Sequence, residues 1–549
     1  MKEVSVKKYS IKELWSFCEQ GIFAIPEIQR EFVWDSKRSS SFLDSIYRRF
    51  PIGSLIIWET NSDKRHLLRH AQEILPPYRI QNRKIWFLID GQQRLSVLYR
   101  AKLGQIVRNS NGRELDFSKL CLSFDPRIEK RFIFTRRPLQ KIHIPLADIL
   151  SDTWRTKLRF LPESKFSQAA KCRMLIKKYE VPAIIVHTNS LDDVRETFLR
   201  INSSGLRISE ADRAFTRASR LNLRRLMTEL RQGLPHDFNL IEPQILQSSM
   251  ALIYGKRELG SAAVESAISD IERDEIENGK VSKAFTRKWR EICKSIQKAV
   301  DYLHNELGVF NYSFLASDNM LSLLSYFFYA NNGAQPNSKQ RREIRKWFWA
   351  TAVGRRYVGR GYYQNIKKDL DFFKRLGKHR YGRFAFSDLV PQDDLRRTEY
   401  LRSGGLTTAF FLMLAHRRPR YLETGNYIPL DETASLGNRK DKHHIFPRSL
   451  LTRNKFTLKE ANNLCNMCYL VAEENESIGS NKPFVYLSRF RKKKQFSSVM
   501  RSHLIPHRGD SGLWTKNVKR AYKVFLNQRL LLIRRELEKE AGIRLFRKD

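Results

Sequence analysis

Six cysteines in 549 residues are too few to frame a disulfide-stapled fold, and their scarcity points to a reducing compartment. Long hydrophobic runs are also missing. The longest mostly apolar, charge-free stretch, Met320–Ala330, falls well short of the ~20 residues a membrane-spanning helix needs. Lysines and glutamates run through the first thirty residues and leave no room for the apolar core of a secretory signal. No GxxxxGK followed by Ser or Thr occurs, which excludes a P-loop NTPase. Internal repeats and low-complexity tracts are absent as well. With 41% hydrophobic and 29% charged residues the chain is not mainly disordered. These absences describe a soluble, cytoplasmic protein with no membrane partner.

Acidic residues are the other shortage: 58 Asp and Glu face 101 Lys and Arg, a formal net charge of +43. Such an excess draws polyanions, and nucleic acid is the most abundant of these. Basic residues recur in runs interleaved with aromatics, at Arg131–Arg137, Arg341–Trp347 and Arg489–Lys494. Clustered cations of this kind contact phosphates without reading sequence. A solvated basic surface is the plainer alternative, and charge alone does not separate a DNA enzyme from an RNA binder or a membrane-surface protein.

The length suggests about three domains. Leu55–Trp58, after the Gly53–Ser54 turn, reads as a strand; Lys84–Ile89 reads as a second, followed past Asp90–Gly91 by helical spacing at Leu95, Leu98 and Tyr99. Val181–Val186 reads as a third strand, before a helix from Leu191 to about Arg200. These βα alternations predict an α/β domain over 1–220. Residues 221–415 read as helical, with amphipathic stretches at Met320–Ala330 and Arg341–Thr351. Residues 416–549 mix short strands with a last helix, Thr515–Ala541, stopped by Gly542. Val518, Ala521, Phe525, Leu526, Leu532 and Ile533 give that helix a face to pack on the body. Lys516, Lys519, Arg520, Lys523, Arg529 and Arg534 give it a basic face, for DNA or for solvent.

Two constellations carry chemistry. Asp441–Lys442–His443–His444–Ile445–Phe446–Pro447 is followed by Asn466 and Asn475. A strand presenting two neighbouring polar residues, then a loop, then a helix supplying a third, is the arrangement of a ββα-metal site. There one imidazole ligates a divalent metal and its neighbour activates water. The plain alternative is a satisfied His pair on a core strand. Cys465–Asn466–Met467–Cys468 has no second CxxC to complete a structural zinc site and reads as packing beside Asn466. The second constellation is Asp90–Gly91–Gln92–Gln93–Arg94, where a strand turns into a helix. The positive end of a helix suits a phosphate, Gly91 permits a tight turn, Gln92 and Gln93 suit a sugar or base, and Arg94 can pair with an anion. A capped helix with polar decoration would look similar.

His443–Pro447 with Asn466 and Asn475 resembles the His-Asn-His (HNH) nucleases, in the variant whose last His is Asn. The resemblance implies His444 as general base and His443 and Asn475 as metal ligands. It makes Asp441 an auxiliary ligand and Asn466 the catalytic-loop brace. Many members have Asp where this chain has His443, a change that shifts metal preference from Mg²⁺ toward Mn²⁺ or softer ions.

At the other end, Ile25–Pro26–Glu27–Ile28–Gln29–Arg30–Glu31–Phe32–Val33–Trp34, Asp90–Arg94 and Phe198–Gly205 occur in the order of the N-terminal domain of the GmrSD family. That family also carries a C-terminal HNH domain. It comprises modification-dependent (type IV) restriction systems and related anti-phage factors, including the BrxU and SspE types. The fold implied is multidomain α+β: a ParB/sulfiredoxin-like α/β domain, a helical middle, and a ββα-metal nuclease domain with helices. Asp90, Gly91, Gln92, Gln93 and Arg94, with Gln29 and Arg30 facing the same cleft, would bind a nucleoside triphosphate, GTP or ATP. The activity implied is a nucleotide-regulated, Mg²⁺- or Mn²⁺-dependent DNA endonuclease or nickase. Its partners would be phage or modified DNA, and a second copy or other defence proteins. The rival readings are a ParB-like, nucleotide-controlled DNA-binding regulator with an inert HNH remnant, and an RNA-directed nuclease or toxin.

Overall fold

In the computed structural model the chain divides into two compact units, Met1–Arg225 and Leu226–Asp549. The structure describes all residues except 1–2, 27–31, 62–67, 69–74, 80–83, 109–113, 128–130, 140, 191–192, 195–196, 198–210, 212–213, 216–217, 219–220, 278–279, 360, 381, 401–403, 431–441, 471–473, 475–477 and 548–549. Among the described residues no helix is long and apolar enough to cross a membrane.

The N-terminal unit is built on a five-stranded mixed sheet in the spatial order Glu3–Ser10, Glu180–His187, Leu55–Asn61, Lys84–Asp90, Phe23–Ala24. Glu180–His187 runs parallel to Leu55–Asn61 and antiparallel to Glu3–Ser10, and Lys84–Asp90 runs antiparallel to Leu55–Asn61. The three expected strands are present, each a residue or more longer than its apolar core. Leu55–Trp58 is buried throughout, the signature of a central strand covered on both faces. Helices Ile11–Glu19 and Gln92–Leu103 pack on one face. Ser10 and Glu13 form a capping box on the first, and the buried Trp15 indole donates to Leu98 O (3.0 Å) on the second.

At the far end of the sheet from Asp90 a row of polar groups runs across the strands. Ser5 Oγ lies 2.9 Å from His187 Nε2, and His187 Nδ1 lies 3.1 Å from Glu59 Oε1. Glu59 also accepts from Lys84 Nζ (2.6 Å) and Trp86 Nε1 (2.8 Å). Burial alone would push the Glu59 carboxyl up, but hydrogen bonds from Lys84, Trp86 and His187 and the Lys84 charge outweigh it and hold it below the ordinary value of 4.5. A carboxyl depressed in the folded state stabilises the fold above its unfolded pKa and loses that contribution as pH falls through the folded one. The Glu59→Gln variant is therefore expected to melt below wild type at pH 7, with the gap closing toward pH 3. Thermal melts across that range measure it, and a pH-independent gap would contradict it.

The C-terminal unit is mainly helical. Met320–Ala330 and Arg341–Thr351 lie within helices Asn319–Ala330 and Ser338–Gly354; the second starts earlier because Asn337 and Gln340 form a capping box. Residues 226–415 and 416–549 belong to one compact unit because the last helix ties them together. It runs Val518–Ala541, capped by Asn517 Oδ1 accepting from Arg520 N (3.0 Å) and closed by Gly542 at φ +65°. Arg345 and His416 meet its Glu540, and Arg417 meets its Glu536. One expectation for this helix is corrected: Arg529 is not on a basic outer face but fully buried, donating to three backbone carbonyls.

Candidate nuclease site and nucleotide-binding turn

In the C-terminal unit Lys442–His444 pairs antiparallel with Met467–Tyr469, setting His443 opposite Cys468 and His444 opposite Met467. A turn through Ile445–Pro447 leads into helix Arg448–Arg453. Asn466, fully buried, holds this turn. Its Oδ1 accepts from Phe446 N (2.8 Å), and its Nδ2 donates to Phe446 O and Ala461 O (3.0 Å each). Its carbonyl accepts from Ile445 N (2.8 Å).

His444 stands half-buried at the end of the first strand. Its Nε2 lies 3.0 Å from Asn462 Oδ1, and the Tyr400 ring meets its imidazole edge-to-face at 5.5 Å. Burial, helped by the Arg448 charge, holds this imidazole below its ordinary value against the opposing hydrogen bond to Asn462 Oδ1. In the tautomer that donates Nε2–H to this oxygen, Nδ1 carries the lone pair and is a proton acceptor. Asn462 and Tyr400 were not anticipated from the sequence. The run of asparagines at Asn462, Asn463 and Asn466 was the available signal.

His443 is likewise half-exposed. Asp441 and Asn475, the other expected metal donors, lie outside the described residues. Among the described residues no three or more His, Cys, Asp or Glu gather to hold a metal. Cys465 and Cys468 are free and buried, and burial pushes each thiol up to about 12, so both are inert packing groups at neutral pH.

In the N-terminal unit Asp90 ends its strand opposite Ile56, and Gly91 starts helix Gln92–Leu103 at φ +94°. Arg94 turns inward: Nη1 donates to Ile52 O (2.8 Å), and Nη2 to Ser54 O (2.8 Å) and Asp90 Oδ2 (2.5 Å). Its guanidinium thus clamps the Ile52–Ser54 turn to the motif, where the sequence suggested an anion ligand. Gln92 and Gln93 are buried, and Gln93 Oε1 accepts from Val33 N (2.9 Å), which brings Val33 to the turn. Phe32 sits in the core and Trp34 packs on Phe42. Gln29, Arg30 and Phe198–Gly205 lie outside the described residues.

A Cβ at Gly91 would overlap the Leu55 Cδ2 methyl, in a backbone region that L-residues rarely adopt. Gly91→Ala is expected to destabilise the protein by ~1–3 kcal/mol. Urea unfolding measures this, and an unchanged midpoint would contradict the turn geometry.

The chain thus combines a unit built on a mixed five-strand sheet with a strand–glycine–helix turn and a mainly helical unit carrying a His-bearing hairpin. Residues 11–218 match the family described as GmrSD restriction endonuclease, N-terminal domain. Over 538 residues the chain is 20% identical to an uncharacterized protein of Methanocaldococcus jannaschii, covering 88% of this chain and 87% of that one.

Proposed function

We propose that this protein is a restriction-type, metal-dependent DNA endonuclease or nickase of an anti-phage system. Its hydrolytic site lies at His444, and a nucleoside triphosphate at Asp90–Arg94 controls it. The observation that carries the reading is the His444 geometry: an imidazole whose Nε2 lies 3.0 Å from Asn462 Oδ1, on a hairpin braced by a fully buried Asn466. The likeness of residues 11–218 to a restriction-endonuclease domain supports the type of activity, and the charge of +43 supports DNA as substrate.

His443 is half-exposed beside the base and could ligate a divalent ion; by the sequence resemblance Asp441 and Asn475 would add oxygen donors, a set suited by residue type to Mg²⁺ or Mn²⁺. When bound, such an ion would stabilise charge on the scissile phosphate and the leaving oxygen. The chain's own residues would do the rest. His444 takes the proton of the attacking water. Asn466 keeps the Ile445–Phe446 backbone from shifting as it does so. Exposed Arg448, Arg453, Lys455 and Lys459, on the two short helices after the hairpin strand and the turn between them, hold the phosphates flanking the cut. In the N-terminal unit Gly91 and the first turn of its helix would receive GTP or ATP phosphates, with Asp90 and Arg94 fixing the turn.

The test is nicking of supercoiled plasmid by the full chain with Mg²⁺ or Mn²⁺, with and without GTP or ATP. Unmodified, phosphorothioated and glucosyl-hydroxymethylcytosine DNA would be compared. Nicking that responds to nucleotide, with the response lost in Asp90→Ala, is the expected result. Failure to cut any DNA under every condition overturns the nuclease reading in favour of a DNA-binding regulator. Faster cleavage of structured RNA than of plasmid would reassign the substrate.

A further inference from the structure

We infer that Asn462 is a positioning residue for His444, its side-chain oxygen fixing the imidazole as the Nε2–H tautomer so that Nδ1 faces the water to be activated. The inference rests on the nuclease reading above and assigns a role to a residue that the His443–Pro447, Asn466 and Asn475 motif leaves out.

The two asparagines near the hairpin do different work. Asn466 is committed to backbone rather than to the ring: its Oδ1 accepts from Phe446 N and both Nδ2 hydrogens go to carbonyls, Phe446 O and Ala461 O. It fixes backbone. Asn462, four residues earlier, sends its amide to the imidazole instead, 3.0 Å from Nε2. A neutral histidine has one N–H and one lone pair, so whichever nitrogen faces an oxygen acceptor takes the proton and the other becomes the base.

Asn462 is itself held on several sides. It is buried, its N–H donates to Leu458 O (2.9 Å) at the end of the Leu458–Ala461 helix, and its carbonyl accepts from Tyr400 N (3.1 Å). Leu464 N donates to Thr398 O (2.9 Å), and Glu399 bridges to Asn463. The 398–400 segment therefore anchors the Asn462–Leu464 turn by backbone bonds. The Tyr400 ring closes on the imidazole at 87° between planes and limits its rotation. An amide fixed in this way sets both the tautomer and the direction of the ring, as the partner of a catalytic histidine does in other hydrolytic sites.

The test uses the full chain labelled with ¹⁵N in its histidine rings, the His444 signals being those lost in His444→Ala. The Nε2–H form of His444 is expected in wild type; the Nδ1–H form overturns the proposal. In nicking assays Asn462→Leu, which has no acceptor, is expected to lower kcat by ~10–100-fold with KM for plasmid unchanged, and Asn462→Asp to recover most of it. Wild-type turnover in Asn462→Leu overturns the proposal. Equal losses in the Leu and Asp variants with equal drops in melting temperature also overturn it, because they would mark a purely structural role. Should wild type nick no DNA, the nuclease reading falls, while the ring-nitrogen spectrum still decides whether Asn462 sets the tautomer.

Discussion

Replacing His444 by alanine is expected to lower plasmid nicking by at least ~100-fold and leave the protein folded. A positioned general base contributes about 10²–10⁴ in rate. No other described imidazole on the hairpin has the same setting, since His443 lies opposite Cys468 while His444 meets Asn462 and Tyr400. The fold should survive because the turn is held without this ring. Asn466 carries the Phe446 and Ile445 backbone bonds, and Tyr486 Oη adds a bond to Ile445 O (2.8 Å). Initial nicking rates and a melting curve on the same preparation check both halves. A variant that retains a third or more of wild-type nicking would remove His444 from the chemistry.

Arg529→Ala is expected to destabilise the C-terminal unit by about 3–5 kcal/mol. The guanidinium is fully buried, and burial draws its pKa down to about 10. It donates to Cys465 O (2.7 Å), His503 O (2.9 Å) and Leu504 O (3.2 Å), and it packs 5.9 Å from the ring centres of Phe410 and Phe525. Alanine would leave three buried carbonyls unpaired, at about 1–3 kcal/mol each before relaxation, and open a cavity between two aromatic rings. Arg529→Lys should restore only part of the loss, because an ammonium on one stem cannot reach three diverging carbonyls at once. Since Cys465 immediately precedes Asn466, nicking should also fall with the loss of stability. Urea unfolding followed by tryptophan fluorescence gives the magnitude, and a cost below about 1 kcal/mol would contradict this account.

The elements most readable in the sequence were those whose pattern is local. Leu55–Trp58, Lys84–Ile89 and Val181–Val186 are apolar, β-branched runs bounded by turn residues, and each became a strand. Gly542 ends the last helix because only a residue tolerant of positive φ fits its C-cap. The adjacency of His443 and His444 and the later Asn466 were visible as residue types. The partner that reads the His444 ring was not, because Asn462 acts through a contact spanning eighteen positions and Tyr400 lies farther still.

The polar contacts of the two motifs were likewise invisible in one dimension. Arg94 was legible as a cation at a helix start, whereas its bonds to carbonyls about forty positions upstream on the Ile52–Ser54 turn were not. Arg529 counts with a basic stripe by residue type, yet it stands four residues after Phe525 and four before Ile533, on the apolar face, where the Leu464–Asn466 and His503–Leu504 turns close over it. The sequence by itself determined the charge, the strands, the glycine turns and the chemical types at both motifs, since each follows from neighbours within a few residues. Only the tertiary structure decided which amide braces backbone, which orients a ring, and which arginine is buried. Those assignments depend on where distant carbonyl and carboxylate oxygens arrive, and a buried donor must go to them.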